Sequence, residues 1–217
     1  MILTTILLVT FLAVQPSATD GDAFQLNQQG RQLLDQHRYS AAVRVLRKAV
    51  ERAEADLGPA DPATAMILRN LALAYLPKGD YLAAEQGGKL ALSIFESRFG
   101  SADVGLTPIL NVLAECYTFT GRIHDAERAE TWAVSIGPAA GVHYATALHN
   151  LGAIRELSGD RAGAASWYQR AVAVKSEMLG AAHPYVAMSK AALQRVEREQ
   201  RFAVLRPGPI RLEQAGE

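Results

Sequence analysis

The residues able to do chemistry are few and do not converge. Five histidines, His37, His124, His143, His149 and His183, fall at turns, junctions and one helix face, without the i, i+4 spacing by which a helix presents two imidazoles to zinc. A metal site does not follow. Gly30, Gly79, Gly121 and Gly159 sit within helices or at turns, and none belongs to a phosphate-cradling run that ends in Lys and Ser or Thr. Cys116 is the nearest thing to a nucleophile, and it lies in an apolar helical stretch with no base beside it. As the single cysteine it also excludes an internal disulfide and a cysteine-built zinc site. Enzyme chemistry, cofactor binding and metal binding are therefore not expected.

Such a chain acts through its surface, so the elements that build the surface matter most. From Asp61 to Gly100 apolar residues recur at helical spacing through Met66, Leu68, Leu71, Ala72 and Tyr75; Pro77, Gly79 and Asp80 interrupt, and a second helical run begins at Tyr81. This is a helical hairpin, with a face too narrow for a core of its own, and it needs similar hairpins on either side. The chain supplies them. Tyr39, Tyr81 and Ile123 stand 42 residues apart, and Arg161 takes the fourth place after 38, the loop around Gly137, Pro138, Ala139 and Ala140 being shorter by four. Leu26, Leu68, Leu110 and Leu148 keep the same register on the first helices. On the second helices the same holds for Ala42, Ala84, Ala126 and Ala164, and for Ala49, Ala91, Ala133 and Ala171. Small residues in columns have a physical reason, because antiparallel helices approach closely only where neither carries bulk at the crossing. Gly30, Ala72, Ala114 and Gly152 serve the first helices in the same way.

The two helices per repeat, these small-residue columns, and the pieces LRNLALAY (68–75), GDYLAAE (79–85) and LGAAHP (179–184) resemble tetratricopeptide repeats; the 42-residue spacing with an LG..HP junction resembles the longer repeats of kinesin light chains and their bacterial relatives. The resemblance implies an all-α, right-handed superhelical solenoid of antiparallel helix pairs. Four repeats fit 24–57, 62–99, 104–136 and 142–179, followed by a capping helix over 184–201 and a disordered tail over 202–217. Two positions depart from the family pattern. Where Leu46 and Tyr168 supply the usual large side chain of the second helix, Gly88 and Glu130 do not, which predicts looser packing in the middle repeats. Gly87 and Gly88 in tandem also cost about 1 kcal/mol each against Ala inside a helix, and drift or close packing explains them better than a hinge.

What the resemblance implies about function is a groove lined by the first helices. Matching residue by residue places Asn70 and Asn150 in it, with Gln28 the polar substitute in repeat one, Val112 a departure in repeat three and Asn111 one residue away; Arg69, Glu115, His149 and Glu156 would surround them. Amide side chains both donate to and accept from an extended backbone, so they give affinity with little sequence demand. If they serve only a ligand, replacing Asn70 and Asn150 leaves folding unaffected. The partner is a protein or peptide. A repeated Lys and Arg clamp for an acidic terminus is lacking, which points to a mixed or neutral ligand, and 22 acidic residues balancing 22 basic ones give no field for nucleic acid. The functional expectation is a non-catalytic adaptor or scaffold; the alternative is a structural subunit of an envelope or secretion assembly, with an unrecognised enzyme behind both.

The N-terminus carries a separate signal. Residues 2–14 are apolar apart from three threonines and are followed by Gln15, Pro16, Ser17 and Ala18, which reads as a secretory h-region and cleavage region. A bilayer span takes ~20 apolar residues, more than this run offers. No Lys or Arg precedes Arg31, and cleavage after Ala18 or Ala23 would start the mature chain near residues 19 to 24. An exported, periplasmic or extracellular protein is expected, without a stable membrane span once processed. An uncleaved membrane anchor, or an apolar helix docked on the first repeat, are the alternatives.

Overall fold

The structure, a computed structural model, describes residues 22–205, so most of the signal-like segment and of the expected tail lies outside the described residues. It is all-α. Among the described residues nine α-helices follow one another: α1 (Ala23–Asp35), α2 (Tyr39–Asp56), α3 (Pro62–Tyr75), α4 (Tyr81–Phe99), α5 (Thr107–Phe119), α6 (Ile123–Ile136), α7 (Val142–Leu157), α8 (Arg161–Leu179) and α9 (Pro184–Leu205). The last helix runs four residues beyond Arg201, into the stretch read as tail. Polar caps start several of them. Asp22 accepts from the Gln25 amide ahead of α1, Asp61 from Ala63 ahead of α3, whose first residue is Pro62, and Asp160 from Gly163 ahead of α8.

The helices pack as four antiparallel pairs, α1 with α2 through α7 with α8, and α9 closes against α8. Within each pair the chain reverses through a left-handed residue, Gly79, Gly121 and Gly159 in repeats two to four. His37 holds that place in repeat one, at φ 57°, and its Nδ1 lies 2.7 Å from the Tyr39 hydroxyl. Both alanine columns of the second helices are buried without exception, which is what a close crossing requires.

In repeats one and four, bulk at the crossing is shared between the two helices. A Cβ at Gly30 would stand 2.5 Å from Leu46 Cδ2, and one at Gly152 would stand 2.6 Å from Tyr168 Cδ1. Glycine on the first helix therefore admits the large side chain on the second. At Gly88 the partner arrives from the next repeat, because a Cβ there would come within 2.7 Å of Leu113 Cδ2. Close packing, not drift, explains Gly88, and the expectation of loose packing at that crossing is corrected. Gly87 is different: a Cβ would meet only the Leu68 carbonyl oxygen at 3.5 Å and Ala72 Cβ at 3.7 Å, both ordinary contacts.

Successive first helices touch directly, α1 on α3, α3 on α5 and α5 on α7, while second helices approach one another far less. The row whose members lie closer is the inside of the curve. The faces of α1, α3, α5 and α7 that turn away from their hairpin partners thus form one continuous inner wall.

Candidate binding groove

Exposed side chains on that wall are mixed in kind: Phe24 and Gln28 on α1, Met66 and Leu73 on α3, Glu115 and Phe119 on α5. Gln28 and Glu115 are thus the two expected site residues that stand most open to solvent. The asparagines do something else. Asn70 is 3% exposed; its Nδ2 donates to Asn27 Oδ1 on α1 at 2.7 Å, and its Oδ1 accepts from the Arg69 guanidinium at 2.7 Å. Asn111 is also buried, and its Nδ2 donates across to the His143 carbonyl at the start of α7. The amides join one repeat to the next. Arg69, half-buried, has its guanidinium pushed below its ordinary value by burial and then by Arg31.

His149 and Glu156 both turn toward the cap. His149 Nδ1 lies 3.1 Å from Ser189 Oγ on α9, and its ring lies against Tyr168. Burial first, then Lys175 and Arg195, push that imidazole down to about 4. Glu156 accepts two bonds from Arg195 on α9, at 2.9 and 2.7 Å, and a third from the Tyr168 hydroxyl. Arg195 holds its carboxyl below the usual range. Ser189 also accepts from Lys175 Nζ at 3.0 Å, a juxtaposition that in an open site could activate a hydroxyl. Here Ser189 is wholly buried between helices, out of reach of a substrate, and Lys175, pushed down to about 8 by burial, is a buried cation held by one hydroxyl.

Asn150 leads to the least ordinary group in the molecule. Its Nδ2 donates at 2.6 Å to Oε1 of Glu130 on α6, and Glu130 has no exposed surface. The second oxygen, Oε2, has no hydrogen-bond partner among the described residues. Burial pushes this carboxyl up to about 8, the Asn150 bond opposing and Glu115 adding to the rise. Glu115, although solvent reaches it, is also raised by the protein around it. Glu115, Glu130 and Asn150 line one pocket of about 120 Å³ between α5, α6 and α7, with Ala153 and Ile154 among its apolar walls.

The site residues thus fall into separate groups: Arg69 with Asn70, Asn111 on the His143 carbonyl, Glu115 with Asn150, His149 with Glu156, and Gln28 apart from the rest. Sequence reasoning missed Asn27, Lys175 and Ser189. It noticed Glu130 only as a missing large side chain, and that anomaly was the available signal. Cys116 is buried, its thiol raised chiefly by burial, and its Sγ donates to the Tyr81 carbonyl. Among the described residues no three His, Cys, Asp or Glu side chains gather as a metal would need, and no helix is long and apolar enough to cross a membrane.

Comparison with known families settles what this architecture is. Two profiles described as tetratricopeptide repeat match residues 22–97 and 145–185, together more than half of the chain. The chain belongs to the tetratricopeptide-repeat family. Several solved structures share its fold. A Podosopora anserina putative kinesin light chain with nearly identical TPR-like repeats aligns at TM-score 0.67 and 20% identity, over 83% of this chain and 88% of that one. BtubC (BKLC) from P. vanneervenii aligns at 0.63 and 20%, over 87% and 84%. A Rap protein complexed with competence and sporulation factor aligns at 0.71 and 16%, over 84% of this chain but only 50% of the Rap chain. No curated protein matches the sequence significantly.

Proposed function

We propose that this tetratricopeptide-repeat protein is a non-catalytic adaptor whose inner wall holds an extended segment of a protein partner. The observation that carries this reading is the continuity of the wall: four first helices in succession, with apolar Phe24, Met66, Leu73 and Phe119 exposed beside polar Gln28 and Glu115. Exposed aromatic and aliphatic anchors among polar groups suit a protein ligand. The Rap neighbour, a protein of this fold complexed with competence and sporulation factor, supports the same reading. In this account Asn70, Asn111 and Asn150 are positioning residues that fix the wall, while Gln28, Arg69 and Glu115 make contact. Photoreactive side chains at Gln28, Leu73 and Glu115, compared with Arg47, Leu90 and Arg170 on the second helices, test it in extracts of the native cells. Capture of one partner from the inner positions alone supports the adaptor. Capture from the outer positions alone favours a structural subunit built through its convex face.

Export is proposed with it, on the apolar run of residues 2–14. Asp22 caps α1 and Ala23 is buried, so a cut after Ala18 preserves the first helix while a cut after Ala23 removes its cap. Mass spectrometry of the native protein is expected to find a mature chain beginning at Thr19, and an intact N-terminus on cytoplasmic protein contradicts export.

A further inference from the structure

We propose that the pocket between α5, α6 and α7 is a receptor for a lysine side chain of the partner, with Glu130 at its end and Glu115 at its rim as the acceptors. This rests on the inner-wall reading and names one recognition element within it. The two carboxyl groups sit in a pocket whose remaining walls are apolar at Ala114, Phe119, Ala153 and Ile154 and polar at Thr118 and Asn150, and among the described residues no Lys, Arg or His lines it. A lysine has the matching form: an aliphatic stem for such walls and a compact ammonium for the far end. Glu130 has one carboxylate oxygen occupied by Asn150 and the other buried behind the pocket wall without a partner among the described residues, so an ammonium reaches it only as that wall gives way. A buried acceptor left unmade is costly, and a donor that arrives with a ligand removes that cost. Guanidinium would need two parallel acceptors in one plane, whereas one orphan oxygen suits an ammonium.

The charges around Glu130 make the event chemically legible. Glu115 faces it from α5 and neutral Asn150 from α7; Glu127, one turn earlier on α6, is paired with Arg155 of α7. With Glu130 near 8, the pocket holds a largely protonated carboxylic acid at neutral pH. An entering ammonium favours the carboxylate, so the acid proton leaves to solvent as the N–H···O bond forms. Binding at pH 7 therefore releases protons, and affinity rises with pH until the free amine itself deprotonates near ~10.

The probe is n-butylammonium, the lysine side chain without its backbone, titrated into the full-length protein by NMR with 1-butanol as the neutral control. Saturable shifts at Ala114, Ala153 and Ile154 are expected with the ammonium and not with the alcohol. Calorimetry in two buffers of different ionisation heat is expected to show proton release. Glu130→Gln, which keeps the shape and the Asn150 bond, should weaken the ammonium by at least about tenfold. Ala153→Leu, which leaves Glu130 in place and fills the pocket, should abolish the shifts and serves if the Gln variant does not fold. Equal binding of alcohol and ammonium, shifts elsewhere, or unchanged affinity in both variants overturns the proposal. If butylammonium fails while inner-wall crosslinks still capture a partner, the lysine pocket falls and the adaptor stands; loss of inner-wall capture with butylammonium still bound leaves the pocket and removes the adaptor.

Discussion

Asn150 Nδ2 lies 2.6 Å from Glu130 Oε1, and among the described residues this one bond is all that satisfies a carboxyl group with no exposed surface. A side chain read in the sequence as a gap in the packing is instead a buried acid, and its folding cost is written in its titration. Its folded value lies at about 8 against an ordinary 4.5, so between those pH values the folded chain binds more protons than the unfolded one.

The first prediction follows from that sign. The contribution of Glu130 is fully present below pH 4.5 and lost as pH rises through about 8. Glu130→Gln removes the loss and should stabilise the protein by ~2 to 4 kcal/mol at pH 9, with little gain near pH 4. His149, pushed down to about 4, works oppositely: its contribution is present above 6.5 and lost as pH falls. Comparing wild type with the Gln variant cancels the His149 effect. Denaturant titrations across pH measure it, and a stability difference independent of pH contradicts the account.

The amides carry the second prediction. Asn70 is buried with both ends of its amide engaged, and among the described residues Asn150 is the only hydrogen-bond partner of Glu130. Asn70→Ala should cost ~1 to 3 kcal/mol, and Asn150→Ala should cost a similar amount that grows above pH 8, where the orphaned carboxyl ionises. This replaces the expectation that both substitutions leave folding untouched. Chemical denaturation of each single variant decides it, and stabilities within error of wild type at pH 9 would return these side chains to the groove.

Two adjacent glycines make the third prediction. Gly87→Ala should gain up to ~1 kcal/mol from helix propensity, since the new methyl finds only ordinary contacts. Gly88→Ala must displace Leu113, and overpacking of ~1 to 3 kcal/mol should outweigh the same gain. Thermal melts of the two variants side by side test it. Equal stabilisation by both would mean that the α4–α5 interface is slack.

Helix pairing, repeat register and the small-residue columns were legible in the sequence because they are periodic: the positions of Ala42 and Ala49 recur intact in every repeat. The asparagines were legible as residues but not as roles. Whether Asn70 faces solvent or Asn27 depends on the twist between neighbouring helices, and a one-dimensional register does not carry that angle. Gly88 shows the same limit, since its partner Leu113 comes from the following repeat and not from its own hairpin. Ser189 and Lys175 were out of reach for a plainer reason. A polar pair buried under a terminal cap has the same composition as a solvated face, and only the packing of α9 separates the two.

The central claim is that the inner wall is the working surface, and one comparison of affinities tests it most directly. Leu73 on α3 is exposed on the inner wall and Leu90 on α4 is exposed on the outer face. With the captured partner in hand, its affinity is measured for wild type, Leu73→Arg and Leu90→Arg, each shown to be folded. The account predicts at least a ~10-fold loss for Leu73→Arg, the scale of one well-packed interface anchor, and no change for Leu90→Arg. Loss at Leu90→Arg with Leu73→Arg unaffected contradicts it and moves the binding surface to the outside of the stack.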